Sequence, residues 1–270
     1  MRIDGHWVHD FNPYAIPFPA GWPLGGIRWY GIAYLLGFLW VRWMFSIYAR
    51  RGRLPLTVQQ MDSLLFHGIA GVLIGGRLGY VFLYEFGNFL RDPLEIFCIW
   101  HGGMASHGGF LGVAIALWLW SQKQSISLAI LGDALVSAVP MGFFLGRIAN
   151  FINGELYGRA TTAPWGIIFP HANGLLLPRH PSQLYEAILE GLVLLCLVQW
   201  KFWRGKEGRP GQLVGYFFIA YSLLRCLGEI FREPDAPMIF FLSRGQFYSL
   251  FLLFAGLILY HCKRLRGGGL

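Results

Sequence analysis

Seven apolar runs, each about as long as a bilayer is thick, dominate this sequence. They lie at roughly 27–48, 63–84, 103–120, 126–149, 184–203, 212–231 and 245–262, and a helix needs about 20 apolar residues to cross the hydrocarbon core. In lipid every backbone N–H and C=O must be satisfied within the protein, so runs of this length fold as helices. The expected architecture is therefore all-α: a polytopic membrane protein with seven transmembrane helices in one domain over residues 1–270. Pro140 beside Gly142 interrupts the fourth run and predicts a kink there. Composition agrees. Charged residues make up 13% of the chain, against about 25% for an ordinary soluble protein.

Orientation follows from the basic residues. Arg50, Arg51 and Arg53, then Lys123, then Lys201, Arg204, Lys206 and Arg209, then Lys263, Arg264 and Arg266 fall in alternate connections. These connections share one side, and they hold every lysine in the chain. The other side has fewer basic residues spread over longer stretches, mixed with Asp4, Asp10, Glu85, Asp92, Glu95, Glu155, Glu233 and Asp235. The positive-inside rule places the lysine side in the cytoplasm. The N-terminus is then outside and the C-terminus cytoplasmic. Residues 1–26 are Pro-rich and aromatic and read as an interfacial outer arm, with no cleavable signal pattern. Residues 151–183, between spans four and five, form the sizeable outer-face segment.

Several function classes drop out. The net charge of +8 would suit nucleic acid, but the basic residues sit at helix ends without a basic, aromatic-interleaved surface. Anionic membrane lipid is the better partner for such charge. No metal site is expected, because the eight histidines are dispersed and Cys98, Cys196, Cys226 and Cys262 lack ligand spacing. The cysteines read as small buried hydrophobes. No Gly-x-Ser-x-Gly elbow is present. Chemistry must therefore use side chains in the spans and on the outer side.

Polar residues gather there. Gly146-Arg147-Ile148-Ala149-Asn150-Phe151-Ile152-Asn153-Gly154-Glu155-Leu156-Tyr157-Gly158 closes the fourth span. An arginine at a membrane edge ordinarily reaches for headgroups. Four polar residues within nine positions exceed what an edge needs, and burying them is costly unless they bind something or each other. Tyr221, Arg225 and Glu229, spaced by four, form one stripe on the sixth span. Arg225 and Glu229 are expected to pair, which leaves open whether the pair is structural or presents the guanidinium to an anion. His107, flanked by Gly102, Gly103, Gly108 and Gly109, lies about one turn into the third span. It is a packing histidine or a base suited to a thiol. Arg77 and Tyr30 add polar groups to the outer half. Asp133 is read as a structural hydrogen-bonding carboxylate. Gly71, Gly75 and Gly79, with Gly108 and Gly112, predict close helix packing.

The thirteen-residue stretch resembles the signature of the prolipoprotein diacylglyceryl transferases: Gly-Arg, a small residue at Ala149, Asn-Phe, an aliphatic residue, Asn-Gly-Glu, then Gly. Trp29-Tyr30-Gly31, Gly75-Gly76-Arg77-Leu78-Gly79-Tyr80, the Gly-Gly-Met-x-x-His-Gly-Gly element, His180-Pro181-Ser182-Gln183-Leu184-Tyr185-Glu186 and the Tyr221 stripe are similar to family elements in the family's order. The resemblance implies a seven-span bacterial inner-membrane enzyme with its active site toward the periplasm. It implies transfer of the diacylglyceryl group of phosphatidylglycerol to the lipobox cysteine of a preprolipoprotein, with loss of glycerol 1-phosphate and without a cofactor.

Carried onto this chain, the resemblance assigns catalytic roles to His107, Arg147, Arg225 and Glu229. Arg147 and Arg225 would clamp the lipid phosphate, and Glu229 would orient Arg225. Tyr30, Arg77, Asn150, Asn153, Glu155 and Tyr221 complete the expected headgroup site. Gly146, Gly154 and Gly158 shape the backbone. His107 is the candidate base, or a binding residue if the arginines acidify the thiol directly. A lipid or anion carrier would also use membrane arginines, but no paired broken helices or repeats appear.

Overall fold

A computed structural model describes residues 2–19, 21–22, 25–98, 102–172, 176–205, 209–234 and 237–261. His101, Lys206, Asp235, Cys262 and the basic C-terminal residues Lys263, Arg264 and Arg266 lie outside the described residues. The chain is mostly helical and forms two compact units, one of Met1–Val41 with Gly132–Leu270 and one of Arg42–Leu131.

The Arg42–Leu131 unit contains the end of α1 (Trp29–Arg50), then α2 (Val58–Tyr84), the short α3 (Phe86–Arg91), a 3-10 turn at Pro93–Phe97, and α4 (Ser106–Gln124). A capping box starts α2: Thr57 Oγ1 accepts from the Gln60 N–H at 3.2 Å, and Gln60 Oε1 accepts from the Thr57 N–H at 2.9 Å. These bonds satisfy two donors that a helix start otherwise leaves unpaired. The predicted small residues hold α2 against α4. A Cβ added at Gly75 would stand 2.3 Å from the Gly108 carbonyl oxygen, so only glycine permits this backbone approach. Farther along, Trp120 Nε1 donates to Ser63 Oγ at 3.1 Å.

The other unit begins with a β-rich arm. Strands β1 (Arg2–Ile3) and β2 (His6–Val8) join β5 (Ile167–Ile168) and β6 (Pro178–Arg179) in one sheet, while β3 (Tyr14–Pro17) and β4 (Gly26–Arg28) form a hairpin leading into α1. Strand β2 runs parallel to β5, pairing Trp7 with Ile167 and Val8 with Ile168. The all-α expectation thus needs correction: strands within residues 2–8 pair with Ile167–Ile168 and Pro178–Arg179 in a small sheet beside the helices. Trp7, Phe151 and Tyr157 pack on Ile167, Phe169 and Ala172 beneath it. Strands this short have no readable alternation, and their pairing closes a loop of roughly 160 residues.

The helices of this unit are α5 (Leu128–Ala138), α6 (Pro140–Asn153), α7 (Ser182–Glu186), α8 (Leu194–Arg204), α9 (Gln212–Glu229) and α10 (Arg244–His261). A π-helical segment, Ala187–Val193, joins α7 to α8 in one rod. The break before Pro140 bends α5 and α6 by 41°, as the sequence predicts, because proline cannot donate to the preceding turn and is well placed at a helix start. Asp133 is structural, as expected. Its two oxygens accept the N–H groups of Gly211 at 2.8 Å and Val214 at 3.0 Å, capping α9 from α5. Leu194, Val198, Leu213, Phe217 and Ala220 form the buried core between α8 and α9.

Among the described residues three helices are long and apolar enough to cross a membrane: Trp29–Arg50, Val58–Tyr84 and Ser182–Arg204. The bent pair Leu128–Ala138 and Pro140–Asn153 makes a fourth if it is one span. Ser106–Gln124, Gln212–Glu229 and Arg244–His261 coincide with the other three predicted runs.

Candidate functional site

Two polar clusters lie on α6 and its neighbours. The deeper one begins at Arg147, whose guanidinium lies 3.0 Å from Glu186 Oε2 through Nη1 and 3.0 Å from Glu190 Oε2 through Nη2. On α9, Arg225 Nη1 reaches Glu186 Oε1 and Glu190 Oε1, both at 2.9 Å, and its Nη2 pairs with Glu229. Arg232 Nη1 adds contacts to Glu186 at 3.5 Å and Glu229 at 3.9 Å. Glu186 and Glu190 each give one oxygen to Arg147 and the other to Arg225. Three arginines thus face three glutamates, and the glutamates of the rod are fully buried.

Such a cluster stands because each charge is paired. Removing one partner from a buried pair costs about 3–5 kcal/mol, chiefly because the other charge is left behind. Residues four apart on a helix share a face, so Glu186 and Glu190 both point at the arginines. The wider turn of the π segment falls at this place, and such segments recur at functional sites.

The second cluster converges on Glu155. Its Oε1 accepts from the Tyr30 hydroxyl, from Asn150 Nδ2 at 3.3 Å and from Asn153 Nδ2 at 3.3 Å. Asn150 Nδ2 also donates to the Tyr30 oxygen. The loop is held from outside: Gln183 Nε2 donates to the Glu155 carbonyl at 2.7 Å and Ser182 Oγ to the Leu156 carbonyl at 3.0 Å. Gly154 ends α6 with φ of 68°, a conformation glycine adopts without steric cost. Gly158 lies against the carbonyls of His180 and Phe231, 2.4 and 2.6 Å from where a Cβ would stand. Gly146 differs: a Cβ there would meet nothing within 4 Å, so α6 has open space beside Arg147.

Most of the predicted residues are therefore brought together within one unit. Arg147, Arg225 and Glu229 share the deeper cluster; Tyr30, Asn150, Asn153 and Glu155 share the second. Tyr221 stacks on Phe217 and lies within the electrostatic field of Glu190, Arg225 and Arg147. His107 and Arg77 belong to the Arg42–Leu131 unit. His107 is exposed on the first turn of α4. Arg77 is buried and donates to the carbonyls of Ile96, Gly102, Gly103 and Cys98, with its guanidinium 5.3 Å from the centre of the Phe89 ring.

Sequence reasoning gave Glu186 no role of its own and missed Glu190 and Arg232. A signal existed, because Glu186 and Glu190 are the two acids in an otherwise apolar run, one turn apart. Among the described residues no group of histidine, cysteine or acidic side chains is arranged to hold a metal ion.

Comparison with known proteins decides the family. The profile described as prolipoprotein diacylglyceryl transferase matches residues 19–262. This chain belongs to that family. It is 46% identical over 264 residues to the phosphatidylglycerol–prolipoprotein diacylglyceryl transferase of Rhodospirillum rubrum, covering 93% of this chain and 95% of the relative. The Nitrosomonas europaea protein of the same description is also 46% identical, over 275 residues, covering 96% and 93%. The Mannheimia succiniciproducens protein is 43% identical over 235 residues, covering 85% and 86%.

Proposed function

We propose that this chain transfers the diacylglyceryl group of phosphatidylglycerol to the lipobox cysteine of preprolipoproteins, the first step in lipoprotein maturation. The cysteine sulfur attacks the phosphate-bearing carbon of the diacylated glycerol. A carbon–sulfur bond forms, the carbon–oxygen bond breaks, and the electron pair leaves on glycerol 1-phosphate. The thiol proton goes to a base, for which His107 is the candidate. If the arginines lower the thiol pKa enough, His107 serves binding instead.

The observation that carries this reading is the convergence of Arg147 and Arg225, from separate helices, in a nearly dry cluster. Guanidinium pairs match phosphate oxygens in a bidentate way, and preorganised charge stabilises a leaving anion best where water is scarce. Glu229 holds Arg225. The ring of Tyr30, Asn150, Asn153 and Glu155 lies along α6 and reads the hydroxyls of the headgroup glycerol. Tyr221 borders the phosphate site. Arg77 shapes the loop around Gly102 and Gly103 that precedes His107. Gly146 leaves room for the lipid.

In this reading the seven helical segments span a bacterial inner membrane, with the N-terminus and residues 151–183 outside and the C-terminus in the cytoplasm. The basic residues of the alternate connections support that orientation. The test is incubation of the purified protein with phosphatidylglycerol and a lipobox peptide. Gain of a diacylglyceryl mass on the peptide cysteine is the expected result. Movement of lipid without modification of the peptide would identify a carrier and overturn the reading.

A further inference from the structure

Both terminal nitrogens of Arg147 and of Arg225 already lie against carboxylates. With three arginines against three glutamates, the cluster has no spare positive charge. A phosphate that is to bridge the terminal nitrogens of both arginines on this face needs a carboxylate to give way, and the three glutamates are held differently. Glu186 lies at the end of α7 and contacts Arg232 as well. Glu229 is one turn from Arg225 on the same helix, and Gly245 lies directly against their pair. Glu190 makes two bonds, to Arg147 and Arg225, from inside the π segment. That wider turn is a local departure from the α-helix on either side.

We propose that Glu190 is a positioning residue that occupies the phosphate site of the empty enzyme: its carboxylate bridges Arg147 and Arg225, and the lipid phosphate replaces it. The proposal rests on the reading that these two arginines receive the phosphate. It explains how two buried guanidiniums stay in register without substrate, since one anion substitutes for another. It also gives the site a threshold. A ligand must offer an anion able to bridge both arginines, as a phosphodiester does, before it displaces the resident carboxylate.

The test compares the wild type with Glu190→Gln and Glu190→Asp, each in phosphatidylcholine nanodiscs at graded mole fractions of phosphatidylglycerol, with glycerol 1-phosphate as a soluble competitor. Glu190→Gln removes the competing charge. The KM for phosphatidylglycerol and the inhibition constant of glycerol 1-phosphate are expected to fall by about tenfold, the scale of one charge-assisted hydrogen bond. The kcat is expected to fall as well, because the arginines lose their register. Glu190→Asp keeps the charge but reaches one arginine only, and a smaller drop in both constants, about two- to threefold, is expected. A merely structural glutamate would lower kcat and leave KM unchanged or raised; that outcome in either variant overturns the proposal, and the aspartate variant decides if the glutamine variant does not fold. Arg225→Lys separates the two readings. If it raises KM while Glu190→Gln fails to lower it, only the displacement idea falls. If Arg225→Lys leaves both constants unchanged, the phosphate site itself is misplaced.

Discussion

Arg147 on α6 and Glu186 at the end of α7 face each other at 3.0 Å, an ion pair between segments separated by the whole 154–181 connection. Arg147 also reaches Glu190 at 3.0 Å through its second terminal nitrogen. A planar fork can serve two carboxylates at once, whereas an ammonium group is a single point. Arg147→Lys is therefore expected to keep the positive charge but lose one bridge. Transfer to a lipobox peptide should fall by about 10²–10³-fold, the usual effect of losing a preorganised donor to a developing oxyanion. Turnover measured by mass spectrometry of the peptide checks this. Near-normal turnover would remove Arg147 from the phosphate site.

The glycines of α2 and α6 are expected to respond in opposite ways. At Gly75 a new Cβ would collide with the Gly108 carbonyl oxygen at 2.3 Å. Gly75→Ala should force α2 and α4 apart and cost about 1–3 kcal/mol, as overpacking does. At Gly146 a Cβ meets nothing, so Gly146→Ala should leave stability unchanged or raise it by about 0.5–1 kcal/mol through helix propensity. Gly146→Leu should then retain the fold and lose transfer by filling the space beside Arg147. Thermal unfolding in detergent, paired with the transfer assay, measures both. Full activity of Gly146→Leu would show that the lipid does not use that space.

Asp133 offers a purely structural control. Its carboxylate satisfies two N–H groups at the start of α9, where Gly211 has no capping side chain of its own. In Asp133→Asn one oxygen becomes an N–H donor and faces another donor. The expected loss is about 1–2 kcal/mol, the range for a broken helix cap. KM for phosphatidylglycerol should be unchanged at temperatures where the protein is folded. A changed KM with unchanged stability would place Asp133 in the substrate path.

Parts of this architecture were readable in the sequence, for definite reasons. Apolar runs are long-range signals that survive without knowledge of partners, so the helices and the Pro140 bend fall where the sequence puts them. The glycine pattern 71, 75, 79 facing 108 and 112 was legible because one spacing implies one helix face. The arginine partners were harder. Arg225 and Glu229 announce their pairing by a spacing of four, but Glu190 lies 43 residues from Arg147 and 35 from Arg225. It could be found only by asking what neutralises two buried guanidiniums. The sheet was illegible, because strands of two or three residues have no period and are formed by distant pairing. Hydropathy also understates the helices with polar tasks: Ser106–Gln124 bears His107, and Gln212–Glu229 bears Arg225 and Glu229. Both are read as spans from their runs, yet neither is among the three most apolar long helices.

The last prediction concerns pH and the end of the signature helix. His9 Nε2 donates to the Phe151 carbonyl at 2.6 Å, and its ring lies on Gly154, within about 3.2 Å of where a Cβ would stand. Burial disfavours the charged imidazolium. It holds the His9 pKa below the ordinary histidine value, outweighing the Phe151 carbonyl and Asp10, which favour protonation, while His171 disfavours it. The unfolded chain, with a histidine pKa of about 6.5, then binds the proton more readily than the folded one. The contribution of His9 is fully present above pH ~6.5, and it is lost as the pH falls from there through the lower folded pKa. Hydrogen exchange at the backbone of Phe151–Glu155 should therefore lose protection on acidification through this window, after correction for the intrinsic pH dependence of exchange. His9→Gln, which keeps a donor but cannot titrate, should flatten that loss. Equal acid sensitivity in both proteins would assign the effect to another group and leave His9 as packing alone.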